Sequence, residues 1–148
     1  MHGHNENGKW FFTLGHDISP EENQYQAGLN FAISFKKDFN FIGKQKLLEI
    51  KDKTPSRRFV MLALKDSIPG KPLLLHEEPI YLNDQIIGKT TSGNYSFNYK
   101  KNLSFGYIET NLSNEDFLKN KLYIEVEKQK YLAEILTKPL KQNNFKKI

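Results

Sequence analysis

The chain has no cysteine in its 148 residues. It therefore offers no thiolate nucleophile, disulfide or thiolate-bound metal, and any chemistry rests on histidines, carboxylates and hydroxyls. Of the four histidines, His2 and His4 lie in the leading Met1-His2-Gly3-His4 stretch. His16 and His76 stand alone, without the ligand spacing of a metal centre, so solvated or structural roles are expected for them. The acid pairs Glu21-Glu22 and Glu125/Glu127 could act as general acid and base only if two carboxylates faced each other across a cleft. The first pair reads as loop and the second as the outward face of a strand, so both are expected on the solvated surface. The tract Gly88-Lys89-Thr90-Thr91-Ser92-Gly93-Asn94-Tyr95-Ser96 has the glycines and hydroxyls of a phosphate loop. It follows a strand instead of entering a helix, which is not the setting of a phosphate loop. Its glycines and hydroxyls are expected to shape a tight bend. No catalytic and no metal-binding residue is assigned.

The net charge of +5 comes from twenty lysines and only two arginines, the adjacent Arg57 and Arg58. Nucleic-acid recognition favours the planar guanidinium, so this balance points away from nucleic acid while suiting a polyanionic ligand. No apolar run approaches the ~18 residues of a membrane span. The first residues lack the apolar stretch of a secretion signal. A cytoplasmic protein without membrane or nucleic-acid partners is the expectation.

The elements that would position these groups follow from apolar periodicity. Leu29, Phe31, Ile33 and Phe35 alternate with Asn30, Ala32 and Ser34, the pattern of a half-buried strand. Gly43 tolerates the N-cap conformation and can open a short helix with Leu47, Leu48 and Ile50 as its apolar stripe, ended by Thr54-Pro55. Phe59 to Leu64 is apolar on both faces and predicts a strand covered on both sides. Strands are predicted at Pro79 to Leu82 and Gln85 to Thr91, joined by an Asn83-Asp84 hairpin turn, and at Leu103 to Ile108. Two more follow at Leu122 to Val126 and Tyr131 to Leu136, linked across Glu127 to Lys130. Six strands within some 80 residues close most economically as an antiparallel barrel. The fold class is thus mainly β, a six-stranded antiparallel Greek-key-type barrel behind a strand-helix piece.

Phe41-Ile42-Gly43-Lys44-Gln45-Lys46-Leu47-Leu48, answered about fifty residues later by Gly88 to Ser96, resembles the C-terminal part of the folate-dependent aminomethyltransferases. That superfamily includes the glycine cleavage T-protein and the matching halves of dimethylglycine and sarcosine dehydrogenases. Gly15-His16-Asp17, Ala27-Gly28-Leu29, Arg57-Arg58, Glu78-Pro79-Ile80-Tyr81, Lys101 to Tyr107 and Lys138-Pro139-Leu140 match in order. The resemblance implies that residues 1–54 are the tail end of a central folate-binding lobe plus a connector helix. Residues 55–141 would be the barrel, while residues 142–148 carry no periodic signal and are expected to be a flexible tail.

It also implies a tetrahydrofolate site, to which the chain would bring four residues. Lys37 stands where the T-proteins have Arg, keeping the charge and losing the bidentate geometry. Phe145 stands where they have Tyr. Glu6 matches an acidic position if a two-residue insertion is allowed, and Gly8 falls there without one. His16 lies beside the folate channel by resemblance, or simply shapes a turn with Asp17. The family's proton-transferring Asp lies in a lobe upstream of the matched stretch, so no catalytic residue carries over, and the chain is expected to be inactive alone. Its partners would be folate, a small methylated or aminomethyl donor and the missing lobes. FAD would enter only with an upstream dehydrogenase half. Two other readings stand beside this one: a non-catalytic barrel that docks a partner protein, and a tRNA- or iron-sulfur-linked relative, whose cysteine signature is absent here.

Overall fold

A computed structural model of the chain describes residues 13–36, 39–66, 68–97, 99–109 and 114–136. Ahead of the barrel lie a turn-rich segment and a short helix, α1, at Lys44–Ile50. Gly43 caps α1 with φ of 88°, a left-handed conformation that disfavours any residue with a Cβ. Six strands follow: β1 (Arg57–Leu64), β2 (Pro79–Leu82), β3 (Gln85–Ser96), β4 (Lys101–Glu109), β5 (Leu122–Val126) and β6 (Gln129–Leu136). A one-turn-plus helix, α2 (Asn114–Lys119), sits between β4 and β5.

The strands close into a barrel in the order β1-β4-β3-β2-β5-β6, with every pairing antiparallel. β2, β3 and β4 form a meander and β1 returns beside β4, which is Greek-key connectivity. Closure leaves no exposed strand edge among these six. The interior holds Leu62 and Leu64 of β1, Ile80 and Leu82 of β2, Ile87 of β3, Ile108 of β4, Leu122 and Ile124 of β5 and Ala133 of β6. Phe117 of α2 and Leu74 of the β1–β2 connector complete it. Each leucine, isoleucine and phenylalanine of this interior contributes about 1.5–3 kcal/mol by leaving water. A second cluster, Met61, Ala63, Leu103 and Phe105 with Phe59, Tyr99 and Leu136 against it, lies on the opposite face of β1 and β4. The two-sided apolar run predicted for β1 therefore has a core on each side.

Three expectations are corrected. Leu29 to Phe35 is not a strand: Asn30–Ala32 form a 3-10 turn and Phe31 is 81% exposed. Alternation encodes which face is apolar, but a strand also needs a ladder, and among the described residues none pairs with this stretch. The Thr90–Ser96 tract is not a bend, because β3 continues to Ser96 with a bulge between Thr90 and Ser92. The bulge absorbs the curvature that the glycines had suggested. The last hairpin is also tighter than expected. Val126 pairs with Gln129, which leaves only Glu127 and Lys128 in the turn, with φ of 51° and 66°.

Two non-glycine residues in succession at positive φ are strained, and this turn geometry suits Asn-Gly. Changing Glu127→Asn together with Lys128→Gly is expected to raise stability by about 1 kcal/mol in chemical denaturation. No gain would mean that the Glu127 and Lys128 side chains contribute more than the strain they impose.

Candidate functional site

The two sequence motifs that could do chemistry, Gly15-His16-Asp17 and Gly88 to Ser96, meet in space. Residues 13–18 form a tight loop in which Asp17 N donates to Thr13 O at 2.8 Å and Gly15 N to Ile18 O at 2.7 Å. The Asp17 side chain is only 2% exposed. Its Oδ2 accepts from Thr13 N at 2.9 Å, closing the loop, and its Oδ1 accepts from both Thr91 Oγ1 and Ser92 Oγ at 2.7 Å. A buried carboxylate must be matched by donors, and three supply the need here. Thr91 and Ser92 converge on one oxygen because they lie at the β3 bulge, which breaks the strict alternation of side chains between the two faces.

A second polar contact fastens the same segment to β1. Arg57 Nη1 lies 3.1 Å from Glu22 Oε1, the Glu22 side chain is 6% exposed, and Gln26 O accepts from Phe59 N at 2.8 Å. Burial alone would raise the Glu22 carboxyl. The Ser19 hydroxyl at 2.6 Å, the Ser19 N–H at 2.8 Å and the Arg57 guanidinium outweigh it and hold the group below its ordinary value. Glu22 is therefore not the solvated loop acid expected from its neighbours in sequence. Its partner lies 35 residues away.

Tyr107 of β4 lies between these two contacts. It is 2% exposed, packs edge-on against Phe59 at 5.1 Å and carries the Arg57 guanidinium 4.6 Å above its ring. Phe59 in turn packs against Phe105 at 5.2 Å. Burial pushes the Tyr107 phenol up to about 12, with the Glu22 and Asp17 charges adding to the rise and Arg57 opposing it. Among the described residues its hydroxyl has no hydrogen-bond partner.

A phenol whose folded value exceeds the unfolded 10.0 favours the fold below that pH and loses the advantage as pH rises toward 12. Phenolate absorbance should accordingly show a late-titrating tyrosine that Tyr107→Phe removes. The same substitution is expected to be neutral or stabilising by up to about 1 kcal/mol, since it deletes a buried hydroxyl left unpaired. A clear loss of stability would reveal a partner for that hydroxyl.

Of the four residues expected at a folate site, Glu6, Lys37 and Phe145 lie outside the described residues. His16 is exposed at the tip of the loop that Asp17 holds, next to Leu14, which is 82% exposed. Asp17, Thr91 and Ser92 join this loop to β3, and Glu22, Gln26, Arg57 and Phe59 join the segment behind it to β1, pairings that were not expected from the sequence. Among the described residues, no group of His, Asp and Glu could hold a metal ion, and no helix is long and apolar enough to cross a membrane.

A closed six-stranded Greek-key barrel with a polar segment fastened across its outside defines the class of domain. Residues 57–141 match the family model described as the glycine cleavage T-protein C-terminal barrel domain, and the chain belongs to that family. Over 133 residues it is 34% identical to mitochondrial dimethylglycine dehydrogenase of Homo sapiens, covering 89% of this chain and 14% of that protein. It is 38% identical over 101 residues to 4-methylaminobutanoate oxidase (formaldehyde-forming) of Paenarthrobacter nicotinovorans, covering 68% of this chain and 12% of that one. With the aminomethyltransferase of Alkaliphilus metalliredigens the identity is 31% over 133 residues, covering 90% and 34%. The crystal structure of glycine cleavage system aminomethyltransferase T from Bartonella henselae shares the fold, with a TM-score of 0.72 at 22% identity, covering 92% of this chain and 37% of that one. The chain thus spans about a third or less of the length of these curated relatives.

Proposed function

We propose that this chain forms one wall of a tetrahydrofolate cavity in an aminomethyltransferase-type enzyme, of the glycine cleavage T-protein or the dimethylglycine or sarcosine dehydrogenase kind. In this reading it does not turn over alone. The observation that carries it is the fastening of the Gly15-His16-Asp17 loop onto Thr91 and Ser92 of β3, which joins two of the family's motifs into one continuous surface. The exposed Leu14 and His16 on that loop suit the wall of a site for a flat ring with polar edges. When bound, tetrahydrofolate would accept a one-carbon unit from an aminomethyl or methylated-amine donor.

In this reading the chain positions and shields. Lys37 contributes charge toward the folate carboxylates, Phe145 an apolar ring and Glu6 a polar contact. The packed barrel behind the wall helps keep water from the reacting centre. The proton-transferring carboxylate belongs to polypeptide outside the matched stretch, and a flavin enters only if a dehydrogenase half accompanies it. A cytoplasmic location is part of the proposal.

The test is a chimera in which this chain replaces the matched stretch of the Alkaliphilus metalliredigens aminomethyltransferase. Methylenetetrahydrofolate formation by the chimera, with none by this chain alone, is the expected result. A chimera that folds by circular dichroism yet fails to bind tetrahydrofolate would overturn the reading.

A second reading, a non-catalytic module that docks a partner protein, is favoured by one observation. Phe31, Phe39, Ile42 and Leu48, ahead of the barrel, are 81%, 60%, 105% and 45% exposed. A cluster of apolar side chains left in water commonly marks a surface that another body covers. Conversion of the monomer to a defined complex in light scattering, without any tetrahydrofolate binding, would favour this reading over the first.

A further inference from the structure

We propose that residues 13–28 form a strap that opens and closes on the barrel as a unit of its own, with Asp17 as the positioning residue that latches it. The strap crosses three neighbouring strands from outside. Asp17 meets Thr91 and Ser92 on β3, whereas Glu22 and Gln26 meet Arg57 and Phe59 on β1. In the barrel order β4 lies between those two strands. Tyr107 of β4 feels the charges of Asp17, Glu22 and Arg57, as a residue beneath the crossing must.

The strap is held mainly by polar contacts. Ala27 is its one apolar residue among the buried set, and Leu14 is largely exposed. Little hydrophobic area therefore resists its opening, while strands β1 and β4 are cored on both faces. It also carries hydrogen bonds of its own that do not involve the barrel. Thr13, Gly15, Asp17 and Ile18 close one turn, and Asn23 Oδ1 accepts from the N–H groups of Tyr25 and Gln26, both at 3.0 Å, to close another. The Asp17 carboxylate does both jobs, shaping its loop through Oδ2 and fastening it to β3 through Oδ1. Where the proposed function holds, the same latch sets the position of His16 on the cavity wall. That consequence rests on the reading above, whereas the latch itself does not.

Amide hydrogen exchange on the 148-residue chain, without folate, is the test. Residues 13–28 are expected to exchange faster than β1 and β4 in the wild type. Loss of two hydroxyl bonds to a charged acceptor in Asp17→Ala should speed their exchange by about 10- to 100-fold, with β1 and β4 changed by about twofold or less. Thr91→Val combined with Ser92→Ala should reproduce most of that acceleration, and adding Asp17→Ala should then contribute only the share due to Thr13 N–H. The proposal is overturned if strap and barrel amides exchange in one step, if Asp17→Ala leaves the strap unaffected, or if it accelerates exchange fully even without the two hydroxyls. Failure of Asp17→Ala to fold would also overturn it, because the strap would then be inseparable from the barrel. Absence of tetrahydrofolate binding by the chimera would leave this exchange pattern unchanged, so the two ideas fail separately.

Discussion

Gly88→Ala is expected to cost about 4 kcal/mol or more and to leave the barrel largely unfolded. A Cβ at this position of β3 would lie 1.9 Å from the backbone oxygen of Tyr107 and 2.9 Å from the Cα of Ile108. Those atoms belong to the β4 ladder, where Gly88 pairs with Ile108, so no side chain can rotate away to make room. The strands must part, and parting them breaks ladder bonds beside the buried Ile80 and Ile108. Domains of this size are stable by roughly 5–15 kcal/mol, so one such clash removes a large share of the margin. Chemical denaturation, or size-exclusion behaviour if the variant is insoluble, reads the effect. A folded Gly88→Ala protein with an unchanged melting temperature would contradict the packing at this crossing.

Arg57→Ala is expected to be the next most damaging, at about 2 kcal/mol. It removes the partner of a Glu22 carboxylate that is 6% exposed and the cation over the Tyr107 ring. Arg57 itself keeps 26% of its side chain exposed, so solvent screens part of the charge interaction and the figure stays below that of a fully buried pair. Arg57→Met retains the stem and isolates the charge. The pH dependence has a definite sign. Glu22 is held below its reference value of 4.5, so its contribution is fully present above that pH and is lost as pH falls through the lower folded value. The difference between wild type and Arg57→Ala should therefore shrink in acid. A difference that grew in acid would mean that Glu22 is not the group Arg57 stabilises.

Much of the barrel was legible from local pattern. Phe59 to Leu64 is apolar on both faces because β1 separates two clusters, and Asn83 takes φ of 54° in the hairpin turn that Asn83-Asp84 had suggested. What could not be read locally was anything that depends on a partner. The Leu29–Phe35 alternation carries an apolar face but not a neighbouring strand, so the stretch turns as a 3-10 helix. The tract Thr91-Ser92-Gly93-Asn94 is poor in strand formers, yet it is strand because β4 pairs along it and Leu74 packs against Gly93. Helix α2 is short enough for its apolar signal to rest on Phe117, which fills the barrel core. The acidic Glu115-Asp116 ahead of Lys119 is the charge order that could have marked it. At the site, His16-Asp17 was visible as a motif, but Asp17 reaches Thr91 across 74 residues and Glu22 reaches Arg57 across 35. No periodicity encodes such pairs.

In the proposed function the fastened loop and the bulged part of β3 together face tetrahydrofolate. Titration of the isotope-labelled chimera with tetrahydrofolate, followed by the amide chemical shifts of this chain's residues, is the decisive measurement. Shifts concentrated at Leu14–Ile18 and Thr91–Ser96 are the expected result. Shifts centred instead on the Asn83-Asp84 and Glu127-Lys128 turns, or no shift at any concentration reached, would contradict it.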